Sequence, residues 1–159
     1  MIVLIPSFEP DGRLVDLVRD LVLVDGLRVL VVDDGSGPGF AGFFEAARVA
    51  GAEVLTEPVN RGKGAALRVG FAHVRDQYPG EPLVCADSDG QHTLLDILRV
   101  GAALDEDTDL VLGARHFTGR VPLRSRVGNQ VTSAVFAPVS YTHLRAHETD
   151  SYLVCRLLL

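Results

Sequence analysis

The sequence predicts an α/β fold in which helices cover both faces of a mostly parallel sheet. Short runs rich in β-branched residues alternate with segments of helical period, which is the pattern of a parallel sheet with crossover helices. Polar, glycine-containing loops follow four of the five predicted strands, at the sheet edge where open α/β folds bind ligands. A length of 159 residues suits one domain with a core of ordinary size.

The first half of the chain contains two strand-helix units. The first strand is predicted at residues 2–6 and the second at residues 28–33. Between them, apolar residues recur at the i, i+3, i+4 and i+7 positions of one helix face, at Leu14, Leu17, Val18 and Leu21. A second helix is expected within residues 40–51, and Gly51 would end it.

The second half continues the same alternation. Further strands are predicted at residues 52–56, 82–86 and 109–114. A helix over about residues 65–78 would close at the Pro79-Gly80 pair, and Thr93 would cap another over residues 94–104. A last helix is expected to begin near Leu123.

Composition excludes several classes of protein. A net charge of -6 argues against a nucleic-acid binder that relies on basic patches. No apolar run approaches the ~20 residues of a membrane span, and the opening "MIVLIP" lacks the basic flank of a signal peptide. Cys85 and Cys155 form neither a disulfide framework nor a metal cluster. A cytoplasmic location is therefore expected.

The stretch "LVCADSDGQH" places two carboxylates, Asp87 and Asp89, directly after an apolar strand. Like charges this close repel each other unless a cation lies between them. A divalent metal or a phosphate site is one interpretation, and a solvated turn rich in Asp, Ser and Gly is the other. The position at the ligand-binding edge of the sheet favours the metal.

Two further polar loops are candidates for binding a nucleotide. In "VVDDGSG", Asp33 and Asp34 end a strand, where they would either accept ribose hydroxyl or base N–H groups or form an Asx turn. "NRGKGAAL" fails the Walker pattern because Gly64 follows the lysine. Its backbone N–H groups, with Arg61 and Lys63, could hold a diphosphate at a helix N-terminus, or the segment could be a flexible basic surface loop.

Together and in this order, these segments resemble a known family. "IPSFEPDGRL", "VLVVDDGSG", "NRGKGAALRVGF", "CADSDGQH" and "LVLGARHFTG" are similar to successive motifs of the family 2 glycosyltransferases, which have the GT-A fold. The branch they resemble most is the polyprenyl-phosphate (dolichol-phosphate-type) sugar transferases. The resemblance covers about residues 2–136, and it implies a Rossmann-like GT-A domain that is truncated here before its C-terminal part.

The resemblance implies a role for each matching residue. Nucleotide-sugar binding falls to Pro6, Phe8, Glu9, Asp33, Asp34, Gly62, Lys63 and Asp87. Mg²⁺ or Mn²⁺ would be held by Asp87, Asp89 and Gln91. Asp89 and Arg115 would be catalytic, and Arg124 and Arg126 would bind the acceptor phosphate. Many relatives have Asn-Glu after the aromatic residue, whereas this chain has Glu9-Pro10, so Glu9 or Asp11 is expected to replace the family's glutamate.

The implied reaction is the inverting transfer of a hexose from a UDP- or GDP-sugar to a polyprenyl phosphate at the cytoplasmic face of a membrane. A phosphate acceptor is already an anion and needs no strong general base. Two alternatives stay open: a nucleotide-sugar-binding module without catalysis, and a nucleotidyltransferase of related fold. A haloacid-dehalogenase-type phosphatase would carry its Asp-x-Asp motif on the first strand, whereas here it follows the fourth.

The C-terminal segment differs in character from the rest of the chain. "VSYTHLRAHET" has no apolar periodicity and resembles the translation of a transposase-type sequencing adapter, and "LVCRLLL" resembles the translation of the flow-cell end of such an adapter. The predicted organisation is therefore a partial GT-A domain at residues 1–137 and a non-native tail at residues 138–159. Without its acceptor region, the fragment is expected to bind donor but not to turn over.

Overall fold

Four parallel strands and four helices make up the part of the chain that the computed structural model describes, residues 1–103 and 111. In chain order they are β1 (Ile2–Ser7), α1 (Gly12–Val22), β2 (Arg28–Asp33), α2 (Ala41–Ala50), β3 (Glu53–Thr56), α3 (Lys63–Gln77), β4 (Leu83–Cys85) and α4 (Leu94–Ala102). A short 3-10 turn, Pro38–Phe40, precedes α2. The α/β prediction is confirmed.

The strand order in the sheet is β3-β2-β1-β4, and all pairs are parallel. Ile2 of β1 is in register with Arg28 of β2 on one side and with Leu83 of β4 on the other. All six residues of β1 are buried, as expected for a central parallel strand with both faces covered.

Alternate residues of the strands are buried in two separate cores, because successive side chains of a strand point to opposite faces of the sheet. On one face, β1, β2 and β4 pack against α1, α2 and α4 through residues that include Val3, Ile5, Val31, Leu14, Val18, Phe44 and Ile97. On the other face they pack against α3 through residues that include Ile2, Leu4, Leu30, Val32, Leu83, Ala66 and Val74. The helices therefore lie on both faces of the sheet.

Local signals in the sequence set most of the element ends. The Asp11 side chain accepts the Arg13 N–H at the start of α1, and Gly51 ends α2 with a left-handed φ of 114°. Thr93 and Asp96 form a capping box at the start of α4.

Two helix boundaries differ from their predictions by two positions: α4 ends at Ala102, where the prediction was residue 104, and the start of α3 also differs. The third helix begins at Lys63, two positions before the predicted start at residue 65, because Gly62, with a φ of 87°, is the residue at which the chain turns into the helix. The predicted fifth strand, apart from Val111, and the helix expected near Leu123 lie outside the described residues.

The strand order creates a crevice at the carboxyl end of β1. The chain moves outward from β1 to β2 and β3, and then α3 carries it back across the sheet to β4 on the other side of β1. Such a reversal is the topological switch point at which open α/β sheets bind ligands. Within the described residues, no helix has the length and apolar character that crossing a bilayer requires.

Candidate active site

A cavity of about 220 Å³ lies at this switch point. It is lined by residues from four separate segments: Pro6, Ser7, Phe8, Asp34, Lys63, Ala66, Asp87, Ser88 and Asp89. Six of the nine are residues that the sequence analysis assigned to the donor or the metal. The sheet topology therefore brings together motifs that are more than 80 positions apart in the sequence.

The end of β1 forms one wall of the cavity. Phe8 lines the cavity and is 45% exposed, and aromatic side chains are groups on which bases can stack. Ser7 is buried, and its Oγ has no hydrogen-bond partner within the described part of the chain. Glu9 is exposed with a left-handed φ of 49°, and its backbone N–H donates to Ser36 Oγ at 2.9 Å.

The carboxylates Asp33 and Asp34 are both buried at the end of β2, but they line different cavities. Asp34 lines the switch-point cavity, and its Oδ1 accepts the Arg61 N–H at 3.0 Å. Asp33 lines a neighbouring cavity of about 330 Å³, and its Oδ1 accepts the Ser36 N–H at 2.9 Å. One oxygen of each carboxylate therefore accepts a hydrogen bond that stabilises a loop, and for Asp33 this agrees with the Asx-turn interpretation. The second oxygen of each carboxylate can accept a further hydrogen bond.

The turn after β2 also positions the basic loop. Gly35 has a φ of 69°, and a Cβ built on it would lie 2.3 Å from the carbonyl carbon of Val59. Only glycine permits this approach of two backbones. The Glu57 N–H also donates to the Asp33 carbonyl at 2.9 Å. The segment that leads to Lys63 is thus fixed against β2.

Lys63 reaches across the cavity from the first turn of α3. Its Nζ lies 2.5 Å from Asp87 Oδ1, and the two side chains are 56% and 21% exposed. Gly62 supports the turn before it by donating its N–H to Asn60 Oδ1 at 2.8 Å. Lys63 therefore places a cation at the N-terminus of a helix, a position that favours the binding of anions.

The turn after β4 orders the second carboxylate. Asp89 Oδ1 accepts the Gln91 backbone N–H at 3.0 Å, and Asp89 Oδ2 accepts Gln91 Nε2 at 2.7 Å. His92 is buried, and its Nε2 lies 3.9 Å from Asp87 Oδ2. Asp87 therefore faces basic groups on two sides, while Asp89 is held by Gln91.

This arrangement fits a divalent cation that keeps most of its water. An ammonium group already lies against Asp87, so the position is one that a cation stabilises. No group of three or more His, Cys, Asp or Glu side chains suitable for a metal occurs in the part of the chain that the structure describes. Mg²⁺ and Mn²⁺ need no such cage, because one or two carboxylates, waters and substrate phosphates complete their coordination.

Arg13 and Asp11 lie beside the site, and the sequence analysis assigned no role to Arg13. The Arg13 guanidinium hydrogen-bonds the Asp11 carboxylate, which lowers the pKa of Asp11 and raises the pKa of Arg13. Asp11 thus has two structural partners, the guanidinium and the start of α1. The sequence signal that could have identified this pair is the Asp-x-Arg spacing at the start of a helix. Arg115, Arg124 and Arg126 lie outside the described residues.

Known structures share this fold. Glucosyl-3-phosphoglycerate synthase from Mycobacterium tuberculosis superposes with a TM-score of 0.66 at 22% identity, over 98% of this chain and 55% of that chain. A second structure of that enzyme, in complex with Mg²⁺ and uridine diphosphate, gives a TM-score of 0.62. Staphylococcus aureus TarS superposes with a TM-score of 0.52 at 25% identity, over 76% of this chain and 37% of that chain. The GT-A-like fold implied by the motifs is confirmed.

Sequence comparison assigns the family. An uncharacterized protein of Methanocaldococcus jannaschii is 30% identical over 132 residues, which are 80% of this chain and 53% of the relative. This chain thus spans about half the length of that relative. The family model described as glycosyl transferase family 2 matches residues 2–154. The chain belongs to glycosyltransferase family 2.

Proposed function

We propose that the intact protein is an inverting, metal-assisted hexosyltransferase that uses a nucleotide-sugar donor and a polyprenyl phosphate acceptor. The observation that carries the donor half of this proposal is the switch-point cavity, which combines Asp34, Lys63 and the Asp87–Asp89 pair. Family membership supports glycosyl transfer. The resemblance of the five motifs to polyprenyl-phosphate sugar transferases supports the acceptor.

In this proposal, different residues at the site bind the base, the nucleoside and the diphosphate of the donor. Pro6 and Phe8 contact the base, and the second carboxylate oxygens of Asp34, in this cavity, and of Asp33, in the neighbouring cavity, accept from the nucleoside. At the N-terminus of α3, Lys63 binds the diphosphate through its ammonium, and Gly62, whose N–H donates to Asn60 Oδ1, forms the turn that places the lysine there. Glu9 lies at the rim beside Phe8.

Asp87 and Asp89 are the proposed metal ligands, and Gln91 supports Asp89 or joins the coordination. Mg²⁺ or Mn²⁺ bound there would neutralise the charge that develops on the departing nucleoside diphosphate. A structural neighbour, the M. tuberculosis synthase, is described in complex with Mg²⁺ and uridine diphosphate. Lys63 supplies a second positive charge to the same leaving group.

The acceptor half of the reaction rests on arginines. An acceptor phosphate oxygen forms a bond to the anomeric carbon, the bond from that carbon to the diphosphate oxygen breaks, and its electron pair leaves with the nucleotide. Arg124 and Arg126 hold the acceptor phosphate in this scheme, at the cytoplasmic face of a membrane, and Arg115 is catalytic together with Asp89. We further propose that residues 138–159 lie outside the domain, so that this chain binds donor without turnover.

Calorimetric titration of UDP and GDP, each with Mn²⁺, tests the donor site. We expect Asp87→Ala and Asp89→Ala to abolish Mn²⁺-dependent binding, and we expect UDP to bind more tightly than GDP. Asp20→Ala, which removes an exposed carboxylate from α1, is the matched control and should bind like the parent. All three variants should unfold within about 1 kcal/mol of the parent, because loop carboxylates contribute little to packing and the Lys63–Asp87 pair is partly exposed. Equal affinity in the parent and the two site variants would refute the metal assignment.

A further inference from the structure

Arg13 connects the start of α1 to the loop that carries the two candidate metal ligands. Its Nη1 donates to the backbone carbonyl of Asp89 at 2.6 Å, across 76 positions of sequence. This hydrogen bond is made to the backbone of Asp89 and leaves the Asp89 side chain to Gln91. The same loop is therefore held at its backbone by one residue and at its carboxylate by another.

The guanidinium is itself held in a fixed orientation. Arg13 Nε lies 3.0 Å from each carboxylate oxygen of Asp11, and Nη2 lies 2.7 Å from Asp11 Oδ2. Asp11 in turn accepts the Arg13 backbone N–H at 2.9 Å as the N-cap of α1. The planar fork of arginine suits this two-sided geometry, and the ammonium of lysine does not. Nη1 is thereby directed at the Asp89 carbonyl.

The aliphatic part of Arg13 covers the turn that follows Asp89. Gly90 has a φ of 75°, and a Cβ built on it would lie 3.2 Å from Arg13 Cδ. The loop therefore has both a polar and a packing contact with this one side chain. Mobility of the turn would displace Asp89 directly and Asp87 through the short link between them.

We propose that Arg13 is a positioning residue for metal binding, which fixes the backbone at Asp89 so that the Asp87 and Asp89 carboxylates are held ready for one cation. The proposal rests on the proposed function, because it assumes that these carboxylates bind the metal. Partners that orient metal ligands from outside the coordination shell typically contribute about tenfold or more to metal affinity. Arg13 is 60% exposed, so its ion pair with Asp11 alone would add little to the stability of the fold. The importance of Arg13 lies in its contact with the Asp89 carbonyl.

The test compares Arg13→Met with Arg19→Met in the full 159-residue chain. Arg19 lies on the same helix, is also exposed, and pairs only within α1 in the described structure, with Asp16 at 3.6 Å. Amide hydrogen exchange of residues 88–92 is measured without ligand, and Mn²⁺ affinity is then measured with Mn²⁺ alone by paramagnetic resonance. We expect Arg13→Met to speed exchange in this loop and to weaken Mn²⁺ binding about tenfold, with thermal unfolding like that of Arg19→Met.

Arg13→Lys separates positioning from charge. It keeps the positive charge but cannot bridge Asp11 and the Asp89 carbonyl as the fork does, so we expect it to recover only a small part of the Mn²⁺ affinity. Unchanged loop exchange in Arg13→Met, or full recovery by Arg13→Lys, would overturn the proposal. If the parent chain itself binds no Mn²⁺ while loop exchange still responds to Arg13→Met, the metal assignment fails and the role of Arg13 in ordering the loop stands.

Discussion

Replacing Lys63 by Met should have opposite effects on the binding of metal alone and of nucleotide. The ammonium lies 2.5 Å from Asp87 Oδ1, so it occupies a carboxylate that a metal would need. Once a nucleotide diphosphate is present, the same ammonium gains an anionic partner. Lys63 is the only lysine in the sequence, so no other lysine side chain can take its place in the variant.

The size of each effect follows from the exposure of the pair. With Lys63 56% and Asp87 21% exposed, the ion pair should be worth about 0.2–1 kcal/mol. Removing it should therefore tighten the binding of Mn²⁺ alone by at most about fivefold. Loss of a charged hydrogen bond to the diphosphate costs about 1.5–3 kcal/mol, so UDP with Mn²⁺ should bind about 10-fold to 150-fold more weakly.

Calorimetry of the parent, Lys63→Met and Arg68→Met measures both effects. Arg68 is an exposed cation on the same helix and controls for the general loss of one positive charge. The free energy of unfolding of Lys63→Met should stay within about 1 kcal/mol of the parent. If Lys63→Met binds Mn²⁺ alone more weakly than the parent, or binds UDP with unchanged affinity, then the inference that the Lys63 ammonium changes partner from Asp87 to the diphosphate is wrong.

Three further predictions concern stability. Gly70→Ala should destabilise the protein by about 1–2 kcal/mol in chemical denaturation, because its Cβ would lie 2.4 Å from Cδ1 of the fully buried Leu4, and this overpacking outweighs the gain in helix propensity. Gly64→Ala, in the same helix but with no atom within 4 Å of its Cβ, should instead stabilise by up to about 1 kcal/mol, so equal effects of the two substitutions would contradict the packing argument. A chain that ends at Ala137 should lose less than about 1 kcal/mol of unfolding free energy relative to 159 residues, and a larger loss would mean that residues 138–159 pack into the fold and that their adapter interpretation is wrong.

The elements could be predicted from the sequence because their signals are local. The apolar face of α1 is visible as a spacing of three and four residues, and all four of its predicted core positions are buried. The bounds of β2 are the predicted ones, and Gly51 and Thr93 end and begin helices as expected. Propensity, capping and periodicity act over a few residues, so one chain segment contains the information they need.

The partners within the site were decided by tertiary structure. The sequence showed that Asp33 and Asp34 lie at the end of a strand, but their position in different cavities depends on which loops pack against them. The pairing of Lys63 with Asp87 requires α3 to carry the chain back across β1, and local periodicity carries no information about strand order. The contact from Arg13 to the Asp89 carbonyl joins segments 76 positions apart for the same reason. The sequence thus determined which chemical groups end each strand, and the order of strands in the sheet determined which of those groups meet.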